Sequence, residues 1–379
     1  MEIKYFDNAA TTKVKNEVLK EMFPYFSIQY GNPSSVYSIG RNAKRAIEQA
    51  RKRVAKLISA DSNEIYFTGC GSESDNTALK GFCYANKAKG NHIITSKIEH
   101  HAILNTCKTL EKQEFKVTYL DVDECGVIDL QQLTNSITDE TILISIMFAN
   151  NEIGTIEPIE KISKIAKCNN IVLHTDAVQA VGNIPIDVKK MGIDMLSLSG
   201  HKLYGPKGVG ALYVKKGIEF DRFLDGGHQE KGKRSGTENV AGIVGLGKAC
   251  EIANFNMDKH QQYLSHLRDY FLNKMKDKFP DIKINGDIEK RLPGNANISF
   301  KNIDAVSLLL KLDQYGICAS SGSACNSGSQ EPSHVLVAIG LPSDMANGTL
   351  RVTFGEDNTI KDVDYLINVI QKSINELKI

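Results

Sequence analysis

Short apolar runs of strand length alternate with segments of helical spacing between residues 64 and 214 of the 379-residue chain. The runs are EIYFT (64–68), HIITS (92–96), TILISIMFA (141–149), IVLHTD (171–176), DMLSLS (194–199) and GALYV (210–214). Helical patterns occupy the intervening stretches, including 43–58 and 159–167. This alternation predicts an α/β fold with a mostly parallel sheet covered by helices on both faces. Ligands of such sheets bind beyond the carboxyl ends of the strands.

The pattern changes at about residue 256. A charged helical stretch to about Lys278 precedes the short apolar runs IKING (282–286) and NANISF (295–300), a leucine-rich helix around 306–311 and a closing helix. The sequence therefore predicts a large domain at 15–255. A smaller α+β domain would consist of 1–14 and 256–379.

Charge balance, the N-terminal sequence and the cysteines indicate which partners and which cellular compartment to expect. The chain has 46 basic and 45 acidic residues, so nothing in its charge favours nucleic acid or a membrane as the main partner. The sequence MEIKYFDNAATTK at its start has no long apolar run, which predicts a cytoplasmic protein. Eight scattered cysteines without a C-x-x-C pair are typical of free thiols in a reducing compartment.

Lys202 stands between an apolar run and a glycine-rich turn in SLSGHKLYGPKGVG (197–210). This position predicts a lysine at the end of a buried strand, where the pKa of its amine is lowered more readily than on the surface. Such a lysine is suited to forming a Schiff base. Taken alone, the stretch favours a structural lysine over a tight turn.

Two further features follow predicted strands. The segment TGCGSESDN (68–76) passes through two glycines into a helix, which predicts a phosphate cradle or a plain turn capped by Ser72. Asp176 ends the run IVLHTD and needs a charged or donor partner if it is buried. A protonated pyridine nitrogen would serve, with Gln179 beside a ring oxygen; a helix N-cap is the alternative for Asp176.

His100, in IEHHAIL (98–104), offers a flat ring at the same edge of the sheet. The adjacent His101 suggests a metal, but no carboxylate or cysteine lies at the usual ligand spacing. Stacking on an aromatic cofactor is the interpretation we favour.

Cys325 lies in SSGSACNSGSQEPSHV (320–335), whose small and polar residues predict an exposed loop. An exposed cysteine is a candidate nucleophile, although an incidental surface thiol fits the same pattern. Cys318 is expected to be a buried core thiol.

Together these residues resemble the cysteine desulfurases of the NifS/IscS type, pyridoxal-phosphate enzymes within the class V aminotransferase-like group. The resemblance covers nearly the whole chain in ordered motifs: FDNAATT (6–12), GNPSS (31–35), TGCGSESDN, EHHAIL (99–104), NNEIG (150–154), HTDAVQ (174–179), SGHKLYGPKG (199–208), RSGTEN (234–239) and SSGSAC (320–325). It implies a transferase of fold type I with a seven-stranded sheet. Tyr37, where many members carry histidine, and the Cys70-Gly71 pair depart from the commonest pattern.

The resemblance also implies the role of each site residue. Lys202 would hold pyridoxal 5'-phosphate and move the substrate α-proton, and Cys325 would take the sulfur of L-cysteine as a persulfide, leaving alanine. Asp176 and Gln179 would contact the cofactor ring, His100 would lie on its face, and Asn151 would also bind the cofactor. The phosphate would be bound by Gly71, Ser72, Ser199 and His201, and by Thr237 from the other subunit of a homodimer. The substrate carboxylate would be bound by Asn32, Asn151 and Arg351.

Acceptors and rival activities remain open at this point. The resemblance implies an iron-sulfur scaffold or a tRNA-thiolation enzyme as sulfur acceptor, and the sequence ends without the tail that docks a scaffold in some members. It implies no intrinsic metal, although Cys325 could ligate a cluster in a transfer complex. An aminotransferase, a selenocysteine lyase or a sulfur-relay scaffold without cofactor are the alternatives.

Overall fold

The computed structural model describes residues 2–321 and 332–377. Its strands are β1 Lys4–Tyr5, β2 Ile65–Thr68, β3 His92–Ser96, β4 Lys116–Leu120, β5 Thr141–Ser145, β6 Val172–Asp176, β7 Met195–Ser199, β8 Gly210–Val214, β9 Lys283–Ile284, β10 Asn295–Ser299, β11 Ile317–Cys318 and β12 Thr349–Thr353. Its α-helices are α1 Asn16–Met22, α2 Pro24–Ser27, α3 Ser38–Leu57, α4 Gly71–Asn76, α5 Phe82–Asn86, α6 His101–Glu111, α7 Leu130–Asn135, α8 Ile159–Cys168, α9 Val188–Met191, α10 Val240–Lys278, α11 Ala305–Gln314, α12 His334–Ala338, α13 Ser343–Ala346 and α14 Ile360–Leu377. No helix in these ranges is long and apolar enough to cross a membrane.

A seven-stranded sheet forms the centre of the molecule, in the order β2-β8-β7-β6-β5-β3-β4. Only β8 runs against the others, pairing antiparallel with β2 and β7, while the remaining neighbours are parallel. The predicted α/β architecture with a mostly parallel seven-stranded sheet is therefore confirmed. The carboxyl ends of β2, β3, β5, β6 and β7 all reach the same edge.

Both faces of this sheet are buried. Along β8, Ala211 and Tyr213 contact one apolar cluster, whereas Leu212 and Val214 contact another on the opposite face. This is the two-residue alternation of a strand, and helices cover each side. The near-continuous apolar runs in the sequence follow from burial on both faces.

A separate core lies around the C-terminal elements. Helices α10, α11 and α14 pack with the antiparallel sheet β12-β10-β9, and β1 pairs in parallel with β11. Phe6, from the N-terminal segment, is fully buried in this second core. The division at 255/256 remains a prediction, because α10 runs through it.

Helix α10 begins earlier than the sequence indicates. We expected a helix from about residue 256, but it starts at Val240 and includes the glycine-rich stretch VAGIVGLGK. Glycine disfavours helix in isolation, but here α10 packs closely on α3. A Cβ at Gly247 would lie 2.6 Å from the Cα of Ala50, so only glycine allows this approach.

Candidate active site

A cavity of about 320 Å³ lies at the carboxyl edge of the central sheet, within the range of roughly 300–1,000 Å³ usual for small-molecule sites. Most of the predicted site residues line it: Gly71, Ser72, His100, Asn151, Asp176, Gln179, Ser199, His201, Lys202 and Arg351. All of them except Arg351 meet there because β2, β3, β5, β6 and β7 end at the same edge of the central sheet.

Lys202 closes a short 3₁₀ turn, Gly200–Lys202, directly after β7. Its Nζ donates hydrogen bonds to the carbonyl oxygens of Ala9 and Ala10, the latter at 2.8 Å. These carbonyls belong to the FDNAATT motif, so the N-terminal segment lines the cavity and bonds the amine. The predicted location at a strand end is confirmed by the fold.

Asp176, the last residue of β6, is buried, and its Oδ1 accepts a hydrogen bond of 2.9 Å from the amide of Val178. Burial raises the pKa of Asp176 to about 6, against the opposing effects of this amide and the Lys202 charge. Gln179 follows Asp176 by three residues, and its Nε2 donates a hydrogen bond of 2.9 Å to the Ala9 carbonyl. The alternative, a helix N-cap, is ruled out because the described segment after Asp176 is a turn and not a helix.

Asp75 is a second buried carboxyl in this cavity, and our sequence analysis missed it. Burial, followed by the charge of Asp176, raises the pKa of Asp75 well above its ordinary value. His174 Nε2 lies 3.8 Å from Asp75 Oδ1. Because burial lowers the pKa of His174 to about 3, this contact is not an ion pair. The i, i+3 spacing from Ser72 on a helix could have revealed Asp75.

His100 is the N-cap of α6, and its Nδ1 accepts a hydrogen bond of 3.1 Å from the amide of Ala102. Burial, followed by the charge of Lys202, lowers the pKa of His100 to about 4. The ring is therefore neutral near pH 7 with its proton on Nε2. His101 turns toward His334 instead, with ring centroids 4.8 Å apart. Within the described ranges, no group of three potential ligands has the arrangement of a metal site.

The predicted cradle begins where β2 ends and α4 starts. A Cβ on Gly71 would lie 2.7 Å from Cγ2 of Val178, so only glycine fits beside this wall of the cavity. Ser199 has a buried Oγ without a hydrogen-bond partner among the described residues. His201 Nδ1 lies 3.2 Å from Thr11 Oγ1, and burial lowers the pKa of His201 to about 4.

Arg351 reaches the cavity from β12 of the smaller sheet and is 3% exposed. Its Nη1 donates to the carbonyl oxygen of Asn151 at 3.0 Å, and its Nη2 to Oδ1 of Asp7 at 2.8 Å. Each terminal nitrogen carries a second N–H, so the guanidinium keeps donors for a carboxylate.

Two of the predicted residues that the structure describes do not join this group. Asn32 and Thr237 are exposed and do not line the cavity. Cys325 lies outside the described residues. Cys318, expected in the core, is only partly buried at the end of β11, because that two-residue strand lies at the edge of a small sheet.

A larger depression of about 780 Å³ lies around Lys80, Phe220 and Lys233. Its lining includes none of the predicted site residues that the structure describes, and much of it is exposed loop. We therefore assign the candidate site to the smaller cavity, where buried polar groups converge.

Residues 4–366 match the family model described as "Aminotransferase class-V". The chain belongs to the class-V aminotransferase family. It is 56% identical over 374 residues to "Cysteine desulfurase IscS" of Clostridium botulinum, covering 98% of this chain and 94% of the relative. Among solved structures, a "NIFS-LIKE PROTEIN" has a TM-score of 0.93 and 39% identity, with both chains covered completely. "SspA in complex with cysteine" has a TM-score of 0.83 and 40% identity, covering 93% of this chain and 98% of the other.

The family's cofactor is pyridoxal 5'-phosphate, and the fold is the expected type I transferase fold. The cavity fits this group chemically. It combines an amine, a buried carboxylate and a neutral imidazole with the orphaned Ser199 hydroxyl, beside a glycine that leaves no room for a Cβ. Such a donor set matches an aldehyde, a pyridine nitrogen, an aromatic ring and a phosphate.

Proposed function

We propose that this chain is a pyridoxal-phosphate-dependent cysteine desulfurase that converts L-cysteine to L-alanine and keeps the sulfur as a persulfide on Cys325. The relatives named above support the activity. The observation that carries the proposal is the convergence of Lys202, Asp176, His100 and Arg351 on one cavity. Attachment, ring recognition and substrate recognition are thereby brought within one site.

Lys202 would attach the cofactor, with Asp176 bonded to the pyridine nitrogen and Gln179 to the ring hydroxyl. Neutral His100 would cover one face of the ring. A protonated pyridine nitrogen beside Asp176 would stabilise the charged form of this carboxyl and so lower its pKa. When bound, the cofactor supplies an electron sink for the substrate carbon atoms.

The phosphate would be held by Ser72, Ser199 and His201 beside Gly71. Ser199 supports this assignment because its buried Oγ has no partner among the described residues, and a phosphate oxygen would satisfy it. His201 is held in place by Thr11. Thr237 is proposed to reach the same phosphate from a second subunit, which agrees with its exposure in this chain.

The substrate carboxylate would bind at Arg351, with Asn151 beside it. The guanidinium is fixed by Asp7 and the Asn151 carbonyl, so little side-chain freedom is lost when a carboxylate binds. Asn32 is proposed to complete this subsite. Lys202, once released from the cofactor, is the nearby amine that would take the α-proton and return it to carbon.

The sulfur step would use Cys325. Its thiolate attacks the substrate sulfur, the Cβ–S bond of cysteine breaks, an S–S bond forms, and a proton replaces sulfur on the carbon. The overall exchange, L-cysteine and a thiol giving L-alanine and a persulfide, needs no external oxidant or reductant. The flanks of the segment support its placement: Ser320 exchanges backbone hydrogen bonds with Arg351, and Ser333 bonds to Glu152.

A homodimer is part of the proposal. The segment between α1 and α3 exposes an apolar group in this chain: Phe23, Phe26, Ile28, Tyr30 and Val36 are each at least 65% exposed. A patch of this kind on a monomer marks an interaction surface, and it borders Asn32. A second copy covering it would bring another chain toward the site.

We further propose that the persulfide passes to an iron-sulfur scaffold or a tRNA-thiolation enzyme in the cytoplasm. Free thiols support a reducing compartment, since all seven described cysteines are unpaired.

Two assays test the activity. Purified holoenzyme incubated with L-cysteine should release alanine and, with a thiol reductant, an equal amount of sulfide; formation of pyruvate and ammonia instead would contradict the proposal. Borohydride treatment should fix the cofactor to the peptide containing Lys202. The variant Lys202→Ala should lose this adduct, and Lys207→Ala, an exposed lysine in the following turn, should retain it.

A further inference from the structure

The turn Asn150–Gly154 links the arginine subsite to helix α12. Asn150 stiffens it, because its Oδ1 accepts hydrogen bonds from the amides of Glu152 and Ile153 at 2.8 and 3.0 Å. Its Nδ2 also donates to the carbonyl of Ile98 at 2.9 Å. The peptide between Asn151 and Glu152 is thus held on a side chain buried in the core.

One side of this turn faces Arg351. The Asn151 carbonyl accepts from Nη1 of Arg351 at 3.0 Å. The Glu152 carbonyl accepts from Nδ2 of Asn297 at 3.1 Å, and Asn297 is the cross-strand neighbour of Arg351. Successive carbonyls therefore fix the guanidinium and the strand next to it.

The other side of the turn holds Ser333. The hydroxyl of Ser333 donates a short hydrogen bond to Oε2 of Glu152 and accepts from the amide of Val335 at 3.1 Å as the N-cap of α12. Both side chains are buried, and Val335 and Leu336 pack in an apolar cluster with Ile153. Ser333 is therefore held by a carboxylate, a cap and a packed helix.

Burial raises the pKa of Glu152 to about 7, while the Ser333 hydroxyl and the charge of Arg351 oppose this rise. The two groups that favour the charged form of Glu152 are Ser333 and Arg351, which lie on the two sides of the turn. The Glu152 side chain bonds Ser333, while the backbone carbonyls of Asn151 and Glu152 bond Arg351 and its neighbour Asn297, so the turn connects the two.

We infer that Glu152 is a positioning residue for sulfur transfer, fixing Ser333 relative to Arg351. The inference rests on the proposed function. Ser333 is eight positions after Cys325 in the sequence, and Arg351 is proposed to bind the substrate carboxylate, so Glu152 links the chain that follows the thiol to the substrate subsite. Glu152 itself does not line the cavity, and it acts through these two residues.

The test uses the full-length holoenzyme with Glu152→Ala, Ser333→Ala and the double variant. Each single variant should lower kcat for alanine formation about tenfold with the KM for L-cysteine changed less than about threefold, as for one lost charged hydrogen bond. The double variant should be no slower than the worse single variant. Amide hydrogen exchange in 334–338 should be faster in all three.

Conservative variants separate positioning from other roles. Glu152→Gln keeps an acceptor and Ser333→Thr keeps the hydroxyl, so both should recover most of kcat and the slow exchange. Ser373→Ala, at a buried serine in α14 whose Oγ has no partner among the described residues, is the control and should match the wild type.

Wild-type kcat together with wild-type exchange in Glu152→Ala and Ser333→Ala would overturn the inference while leaving the activity intact. Additive effects in the double variant would also overturn it. If the wild type forms no alanine from L-cysteine, the proposed function fails, and the positioning role fails with it.

Discussion

The guanidinium of Arg351 forms a 2.8 Å ion pair with the carboxylate of Asp7, although the two residues lie at opposite ends of the chain. The contact joins the N-terminal segment to β12, and the same segment supplies the carbonyls that hold Lys202. One stretch of chain thereby contacts both Lys202 and Arg351, the residues proposed to attach the cofactor and to bind the substrate carboxylate.

Replacing Arg351 with lysine should impair substrate binding, because an ammonium cannot present the planar fork that a carboxylate fits. We expect the KM for L-cysteine to rise about 10- to 100-fold, the loss expected for one charged hydrogen bond or two. Steady-state kinetics measures this change. Arg222→Lys, in the exposed ion pair with Asp225, should leave the KM unchanged; an unchanged KM in Arg351→Lys would refute the assignment.

His100 caps helix α6, and its ring is proposed to stack on the cofactor; two variants separate these roles. Asparagine is a good N-cap without an aromatic face, so His100→Asn should keep the melting temperature and weaken cofactor binding to the apoprotein roughly 3- to 10-fold. His100→Phe keeps the face and loses the cap, so it should be less stable by about 1 kcal/mol and bind the cofactor more tightly than the asparagine variant. Equal affinities in the two variants would argue against stacking.

Gly71 leaves no room for a methyl group beside Val178. Gly71→Ala should weaken cofactor affinity and lower stability by about 1–3 kcal/mol, as expected for overpacking. Shortening the opposing side chain gives a matched test: Gly71→Ala with Val178→Ala should recover much of both losses. Failure of this rescue, measured by cofactor titration and thermal unfolding, would show that another constraint operates at Gly71.

Glu99 should make the protein less stable as the pH rises. Burial raises the pKa of this carboxyl to about 8, while the Ser96 hydroxyl and the Met147 amide oppose the rise. Between its ordinary value near 4.5 and about 8, the native state binds more protons than the unfolded state, so the free energy of unfolding falls with increasing pH.

Glu99→Gln should remove this contribution. Urea unfolding at pH 5.5 and 8.5 measures the free energy of unfolding at each pH. Its decrease between the two should be smaller in Glu99→Gln than in the wild type by about 2–4 kcal/mol. Glu140→Gln, at an exposed side chain, should retain the wild-type decrease. An identical decrease in Glu99→Gln would mean that Glu99 is already ionised across this range.

Local patterns predicted the strands and the site residues that end them. Burial on both faces makes β3 and β8 continuous apolar runs, and their observed bounds are those of HIITS and GALYV. Because β3, β6 and β7 are parallel to one another, Asp176 and Ser199 at the ends of β6 and β7 lie at the same edge of the sheet as His100 and Lys202, which follow soon after strand ends. The alternation of strand and helix in the sequence indicated this.

Long-range contacts could not be predicted in the same way. The carbonyls of Ala9 and Ala10 carry no sequence signal for their bonds to Lys202, nearly two hundred residues away. Asp75 is notable because it is buried near the charge of Asp176, and this burial depends on how α4 packs on the sheet. Arg351 entered only through family resemblance, because its strand belongs to another sheet.

Persulfide formation on Cys325 is tested most directly by locating the transferred sulfur after one turnover. Holoenzyme is mixed with L-cysteine without reductant, alkylated, digested and analysed by mass spectrometry, alongside Cys325→Ala and the exposed-cysteine control Cys168→Ala. We predict one additional sulfur atom on the Cys325 peptide in the wild type and in Cys168→Ala, matched by one alanine per site, and neither product in Cys325→Ala. Alanine release at the wild-type rate from Cys325→Ala, or the extra sulfur on a different cysteine, would contradict this prediction.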